Sequence, residues 1–141
     1  MSADKNIKVE TYLFFDGRCA EAVEFYRHAL GAEVLMMLRY KECPDKGMIR
    51  PGTEDKIMHA SIQVGDTRIM ASDDCSGHTP KPDGFSMSIA APDEATAKKF
   101  FTALGEGGQV KMPLAKTFFS PCFGMLTDRF GVGWMVITQQ A

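Results

Sequence analysis

The feature that most constrains this 141-residue chain is an internal repeat. The stretch AEAVEFYRHALG (20–31) returns as ATAKKFFTALG (95–105), one residue shorter. In the first copy Ala22, Phe25, Tyr26, Ala29 and Leu30 fall at i, i+3, i+4, i+7 and i+8, the apolar stripe of a helix. Ala97, Phe100, Phe101 and Leu104 repeat it. Gly31 and Gly105 stand where a left-handed cap residue belongs, and Asp16 and Asp93 are placed to accept the first free amides.

The flanks repeat as well. Strand patterns precede the two helices, IKVETYLFF (7–15) and FSMSIAA (85–91), and others follow them, EVLMMLRY (33–40) and GQVKMPLA (108–115). Each half then closes with a hairpin pattern, turning at Gly65-Asp66 in the first and at Asp128 to Gly131 in the second. A half of this kind makes a curved four-stranded sheet with a helix on one face. Its other face stays open until a second half, from the same chain or another, closes it. The expected fold class is therefore α+β: two βαβββ modules forming curved mixed sheets around a cup, helices outside. The chain is one domain, 1–141, with modules at 7–73 and 85–138 and a linker at 74–84. The loop 41–55 has no counterpart in the second half, and a loop of that length suits a lid or a partner contact.

Bulk properties remove several functions. A net charge of −2 with no basic stripe gives no footprint for nucleic acid. No apolar run approaches the roughly 20 residues of a membrane helix. MSADKNIKVE lacks the apolar core of a secretory signal, which points to the cytoplasm. Cys19, Cys43, Cys75 and Cys122 are widely spaced without a CxxC pair, as expected of free thiols rather than a disulfide framework or a zinc site.

Several stretches together resemble the vicinal oxygen chelate superfamily of glyoxalases, bleomycin-resistance proteins and dioxygenases, and within it the PhnB-like branch. They are AEAVEFYRHALGAEV, MHASIQVGDTRIMASD, the second helix and FGMLTDRFGVGWMV. The similarity covers roughly residues 6–138. It implies four metal-ligand positions on strands facing the cup, where metal-dependent members place His, Glu or Gln. Carried onto this chain, they fall at Thr11, give or take one residue, at Met70 or Ser72, at Ser86 with Ser88 as the shifted alternative, and at Met135. A slip of one residue would recruit Glu10 or Asp73. Hydroxyls and thioethers are a poor set for a divalent ion, so no metal and no other cofactor is expected. The same register puts Val9, Thr11, Leu13, Met70, Ser72, Ser86, Ser88, Gly133 and Met135 on the concave face, lining a pocket for a small molecule. Relatives of this look usually pair, which makes a homodimer the expected assembly.

Outside that set, His59 in KIMHASIQV is the candidate acid/base, set against a structural hydrogen-bonding role. His28 reads as exposed and His78 as loop. Asp128 fits a turn-stabilising role, Trp134 a core position on the face opposite Met135, and Cys122 an inert thiol, since no base stands beside it. GEGGQV (105–110) follows a helix and precedes a strand, the wrong order for a phosphate-binding turn. Nothing resembles the strand–glycine loop–helix opening of an S-adenosylmethionine site. Three functions remain: a metal-free small-molecule binder, an enzyme using His59, and a metal-dependent isomerase, lyase or dioxygenase.

Overall fold

The computed structural model describes residues 7–45, 47, 49–76 and 79–138. The first module runs β1 (Thr11–Phe15), α1 (Cys19–Leu30), β2 (Glu33–Arg39), a 3₁₀ turn (Tyr40–Glu42), β3 (Ile57–Val64) and β4 (Thr67–Asp73). The second runs β5 (Met87–Ala91), α2 (Glu94–Gly105), β6 (Gln109–Ala115), β7 (Cys122–Thr127) and β8 (Gly133–Thr138). The sheets are ordered β1-β4-β3-β2 and β5-β8-β7-β6. The β1–β4 and β5–β8 pairs are parallel and the others antiparallel, so both sheets are mixed, in the expected α+β class.

The helices form where the stripes lie, and Ala22, Tyr26, Ala29 and Leu30 of α1 are buried. Gly31, at φ 68°, ends α1 in the left-handed conformation that a side chain resists. Asp93 caps α2, its Oδ1 accepting from Thr96 N at 2.7 Å.

Two cap expectations are corrected. Asp16 does not cap α1, because a three-residue connection separates β1 from the helix and leaves Arg18 at the cap position without a side-chain cap bond. Buried Asp73, at the end of β4, takes its place: Oδ1 accepts from Cys19 N and Oδ2 from Ile57 N, both at 2.9 Å. Gly105 is the last residue of α2 rather than a left-handed cap, and the positive φ (77°) falls on Gly107.

Register decides which face of each sheet each residue occupies. Leu13 and Ala60 both lie opposite Ala71, and Ile62 lies opposite Ile69; these buried residues face α1. In the second sheet Leu126 lies opposite Trp134, and Ile89 opposite Val136. The helix-covered faces of both sheets merge into one core. Its joint is aromatic: Tyr26 lies 5.6 Å from Trp134, and Phe130 lies 5.6 Å from Phe25 and 6.0 Å from Phe15. At the centre sits Asp128, which is buried. It accepts from Tyr26 Oη (2.6 Å), Trp134 Nε1 (2.9 Å), Phe130 N (2.9 Å) and Val132 N (3.1 Å). Burial, then the Asp128 charge, pushes the Tyr26 phenol far above its ordinary range. The other face of each sheet therefore looks away from the shared core.

Candidate functional site

The open face of the first sheet gathers most of the chemistry. Alternation along β3 sends Ala60 and Ile62 into the core, and His59, Ser61 and Gln63 to the open side. Beside them stand Met70 and Ser72 of β4, Tyr12 and Phe14 of β1, and Met36 and Leu38 of β2. Tyr12 Oη and His59 Nδ1 are 3.1 Å apart, with their rings 5.7 Å centre to centre. Phe14, 55% exposed, extends the aromatic wall at 5.0 Å from Tyr12.

At one end of the face Arg68 grips Glu10 in a two-pronged pair, Nη2–Oε1 2.6 Å and Nε–Oε2 3.0 Å. The hydrogen bond from Arg68 holds the Glu10 carboxyl below its ordinary range. At the other end Tyr40 Oη donates to the carbonyl of Asp73 at 3.2 Å, and burial pushes this phenol up. Between these ends the face carries no Asp, Glu, Lys or Arg among the described residues. Ser61 is only 5% exposed, and its Oγ has no hydrogen-bond partner among the described residues.

In the second half three of the named positions share one face of the sheet. Ser88 lies opposite Met135, on the same face as Gly133. Ser86 precedes β5, and its Oγ would stand 3.1 Å from a Cβ at Gly133, so this glycine lets the two segments approach. Met70 and Ser72 also reach an open face. Thr11 and Leu13 do not: they lie opposite Ile69 and Ala71, on the helix side, and Leu13 is buried in the core. Val9 lies before β1 and is 98% exposed. The β1–α1 connection is one residue longer than the β5–α2 connection, Asp16–Arg18 against Pro92–Asp93, so counting back equally from both helices slips the first strand by one. The residues that belong there are Tyr12 and Phe14. Ser61 was also missed, although alternation from His59 along β3 would have found it.

With the first strand's register corrected, the ligand positions implied by the resemblance fall on Glu10 or Tyr12, Met70 or Ser72, Ser86 or Ser88, and Met135. A phenol, hydroxyls and thioethers do not fit a hard or borderline divalent ion. No group of three or more His, Cys, Asp and Glu able to hold a metal ion exists among the described residues. Asp73 is engaged by two backbone amides in the core and Glu10 by Arg68, so the shifted alternatives add no ligand.

The remaining candidates are structural. Asp128 holds the joint between the modules, and Trp134 is buried against Tyr26 on the face opposite Met135. Burial pushes the Cys122 thiol up, away from thiolate. His28 is exposed and pairs with Glu24 at 3.0 Å; His78 lies outside the described residues. The 41–55 loop is tied to its base by Lys41 N to Glu54 O and by Lys41 to Asp55, both 3.0 Å, and it buries Cys43. A separate cleft of about 420 Å³ lies between the end of α1, the β3–β4 turn and β5, walled by Leu30, Ile69, Met87, Phe100 and Trp134. Among the described residues Asp66 is the one ionisable group in its lining, which gives it less recognition chemistry than the open face.

Residues 7–137 match the family described as 3-demethylubiquinone-9 3-methyltransferase. Protein YjdN of Escherichia coli (strain K12) is 32% identical over 135 residues, spanning 89% of this chain and 90% of YjdN. The crystal structure of protein PA1353 from Pseudomonas aeruginosa superposes with a TM-score of 0.87 at 40% identity, over 96% of this chain and 99% of that one. A Bacillus cereus protein described as a putative 3-demethylubiquinone-9 3-methyltransferase, PhnB protein, gives 0.76 at 29%, over 94% and 99%. A glyoxylase/bleomycin resistance protein/dioxygenase domain from Frankia sp. EAN1pec shares the fold at 12% identity, with a TM-score of 0.68 over 99% of each chain.

Proposed function

The chain belongs to the family described as 3-demethylubiquinone-9 3-methyltransferase, the PhnB-like branch of the vicinal oxygen chelate superfamily; from that premise we propose that it is a metal-free, cytoplasmic small-molecule-binding protein acting as a homodimer. The observation that carries this reading is the open first-sheet face, where a Tyr12–His59 pair sits among exposed aromatic and methionine side chains. Within one chain that face looks away from the second sheet's open face, since the helix sides of both meet in the core. A second copy supplies the missing wall: the first module of one protomer against the second module of its partner. Phe14, Met36 and Met112, about half exposed, mark apolar surface on both faces that such pairing would cover.

The activity in the family's description is not part of the proposal. A methyl donor of the S-adenosylmethionine type is usually held by a glycine-rich strand-to-helix turn, and the β1–α1 turn here is Asp16-Gly17-Arg18. A second reading, acid/base catalysis by His59, draws on the same 3.1 Å contact. Its partner is a phenol, not a carboxylate that would orient the ring and stabilise the imidazolium, so binding is the stronger reading.

Sedimentation of the purified protein, with metal analysis and titration of Ni²⁺, Zn²⁺, Mn²⁺ and Fe²⁺, tests it. A dimer with only trace metal supports the proposal. Stoichiometric tight binding of a divalent ion overturns the metal-free reading, and a monomer overturns the shared cup. Turnover abolished in His59→Ala with ligand affinity kept would favour the enzyme.

A further inference from the structure

Ser61 carries one more step, which rests on the reading of the open face as a ligand site. A hydroxyl that is buried and unpaired loses its hydration with nothing in return, and native proteins rarely keep one without a reason. Ser61 is not a core residue with a lost partner: its neighbours Ala60 and Ile62 face α1, and Ser61 faces the open side. Its cross-strand neighbours are Met36 and Met70, unbranched side chains that can swing aside for a guest. Two residues along β3, His59 shares a hydrogen bond with Tyr12, so the polar groups around this point are an imidazole, a phenol and a hydroxyl. The guanidinium on this face, Arg68, is already occupied by both oxygens of Glu10.

We propose that Ser61 is the specificity-determining hydrogen-bonding group of the site, and that its ligand is an uncharged molecule presenting a hydroxyl or carbonyl oxygen on an apolar frame of aromatic size. An anion entering here would leave water without an unpaired Lys or Arg on this face to meet it, which disfavours carboxylates and phosphonates. A neutral oxygen completes Ser61, while Phe14, Leu38 and the methionines contact the frame.

The test titrates benzyl alcohol, acetophenone, toluene, benzoate and phenylphosphonate into the wild-type protein and Ser61→Ala. The first two are expected to bind the wild type more tightly than the two anions do. In Ser61→Ala their affinity falls by up to about tenfold, the scale of one hydrogen bond. Toluene, which offers no oxygen, is unaffected. Without ligand, Ser61→Ala melts at or above the wild-type temperature, because an unsatisfied group has been removed. Unchanged affinity for the alcohol and ketone overturns the role of Ser61 and leaves the cup reading standing, and so does equal weakening of toluene. A preference for phenylphosphonate or benzoate overturns the uncharged class. A lower melting temperature identifies Ser61 as a paired structural hydroxyl and overturns the proposal. If none of the five binds the wild type, the cup reading fails and takes this inference with it.

Discussion

Tyr12, His59 and Ser61 on the first open face have Ser88, Phe123 and Met125 as register counterparts on the second. Phe14 corresponds to Ala90 and Ser72 to Ile137, while Met70 and Met135 match. The two halves thus share backbone plan, helix stripe and core, but the hydrogen-bonding centre exists mainly in one copy. The repeat makes the scaffold, and the departures from it give the two open faces different chemistry. The structural devices diverge in the same way. A buried carboxylate reaches α1 from the end of β4, whereas α2 is capped locally by exposed Asp93. The first hairpin turns on exposed Gly65-Asp66, whereas the second turn carries the carboxylate that joins the modules.

The turn contrast gives the largest expected effect. Asp128→Ala strands four buried or half-buried donors at the joint, and should lower unfolding free energy by on the order of 4 kcal/mol. Asp66→Ala at the counterpart turn should stay within about 0.5 kcal/mol, as exposed substitutions do. Urea denaturation of both reads the difference; comparable losses would mean that the second turn is not the joint.

The caps come next. Asp73→Ala removes the partner of Cys19 N and Ile57 N together inside the core, an expected cost of about 2–4 kcal/mol. Asp93→Ala removes one bond at an exposed helix end, where water replaces it, and should cost distinctly less. Thermal melts of the pair would break the contrast if the two losses were equal.

A smaller difference lies under the helices. Gly124 in β7 occupies the place of Ala60 in β3, and a Cβ there would come within 2.7 Å of Phe101 Cε2 and 3.0 Å of the Met112 carbonyl. Gly124→Ala should therefore destabilise by about 1–3 kcal/mol through overpacking. Ala60→Gly should cost about 0.5–1 kcal/mol, mostly through backbone freedom. Similar values would mean that α2 sits less tightly on its sheet than the distances imply.

Most of the fold was legible because it rests on periodicity: the stripes set both helices, and Gly65-Asp66 and Asp128–Gly131 mark both hairpins. The second-half face was legible for the same reason. In the first half only β1 was displaced, by one residue in a turn, since a strand's parity reverses with every residue added upstream of its reference point. Tyr12 and Phe14 were lost that way. The Asp73 cap was invisible for a different reason: it acts across 54 positions of sequence, and no local pattern marks a carboxylate that returns to a helix start.

The last contrast concerns the end of each open face, where Glu10 stands two residues before Tyr12 and Ser86 two before Ser88. Glu10 is paired with Arg68, and its folded pKa lies below the ordinary 4.5. A carboxyl depressed on folding contributes stability that is fully present above the unfolded pKa and is lost as pH falls through the folded value. The stability difference between wild type and Glu10→Gln should therefore be flat near neutrality, shrink as pH falls below about 4.5, and vanish in acid. Added salt should shrink it at neutral pH too, because the Arg68 side chain is about half exposed. Ser86→Ala should show neither dependence. Urea midpoints across an acid-to-neutral series measure all three proteins alike. A Glu10→Gln difference that ignored both pH and salt would mean that Arg68 is not held, and a free guanidinium would then stand at the end of the open face.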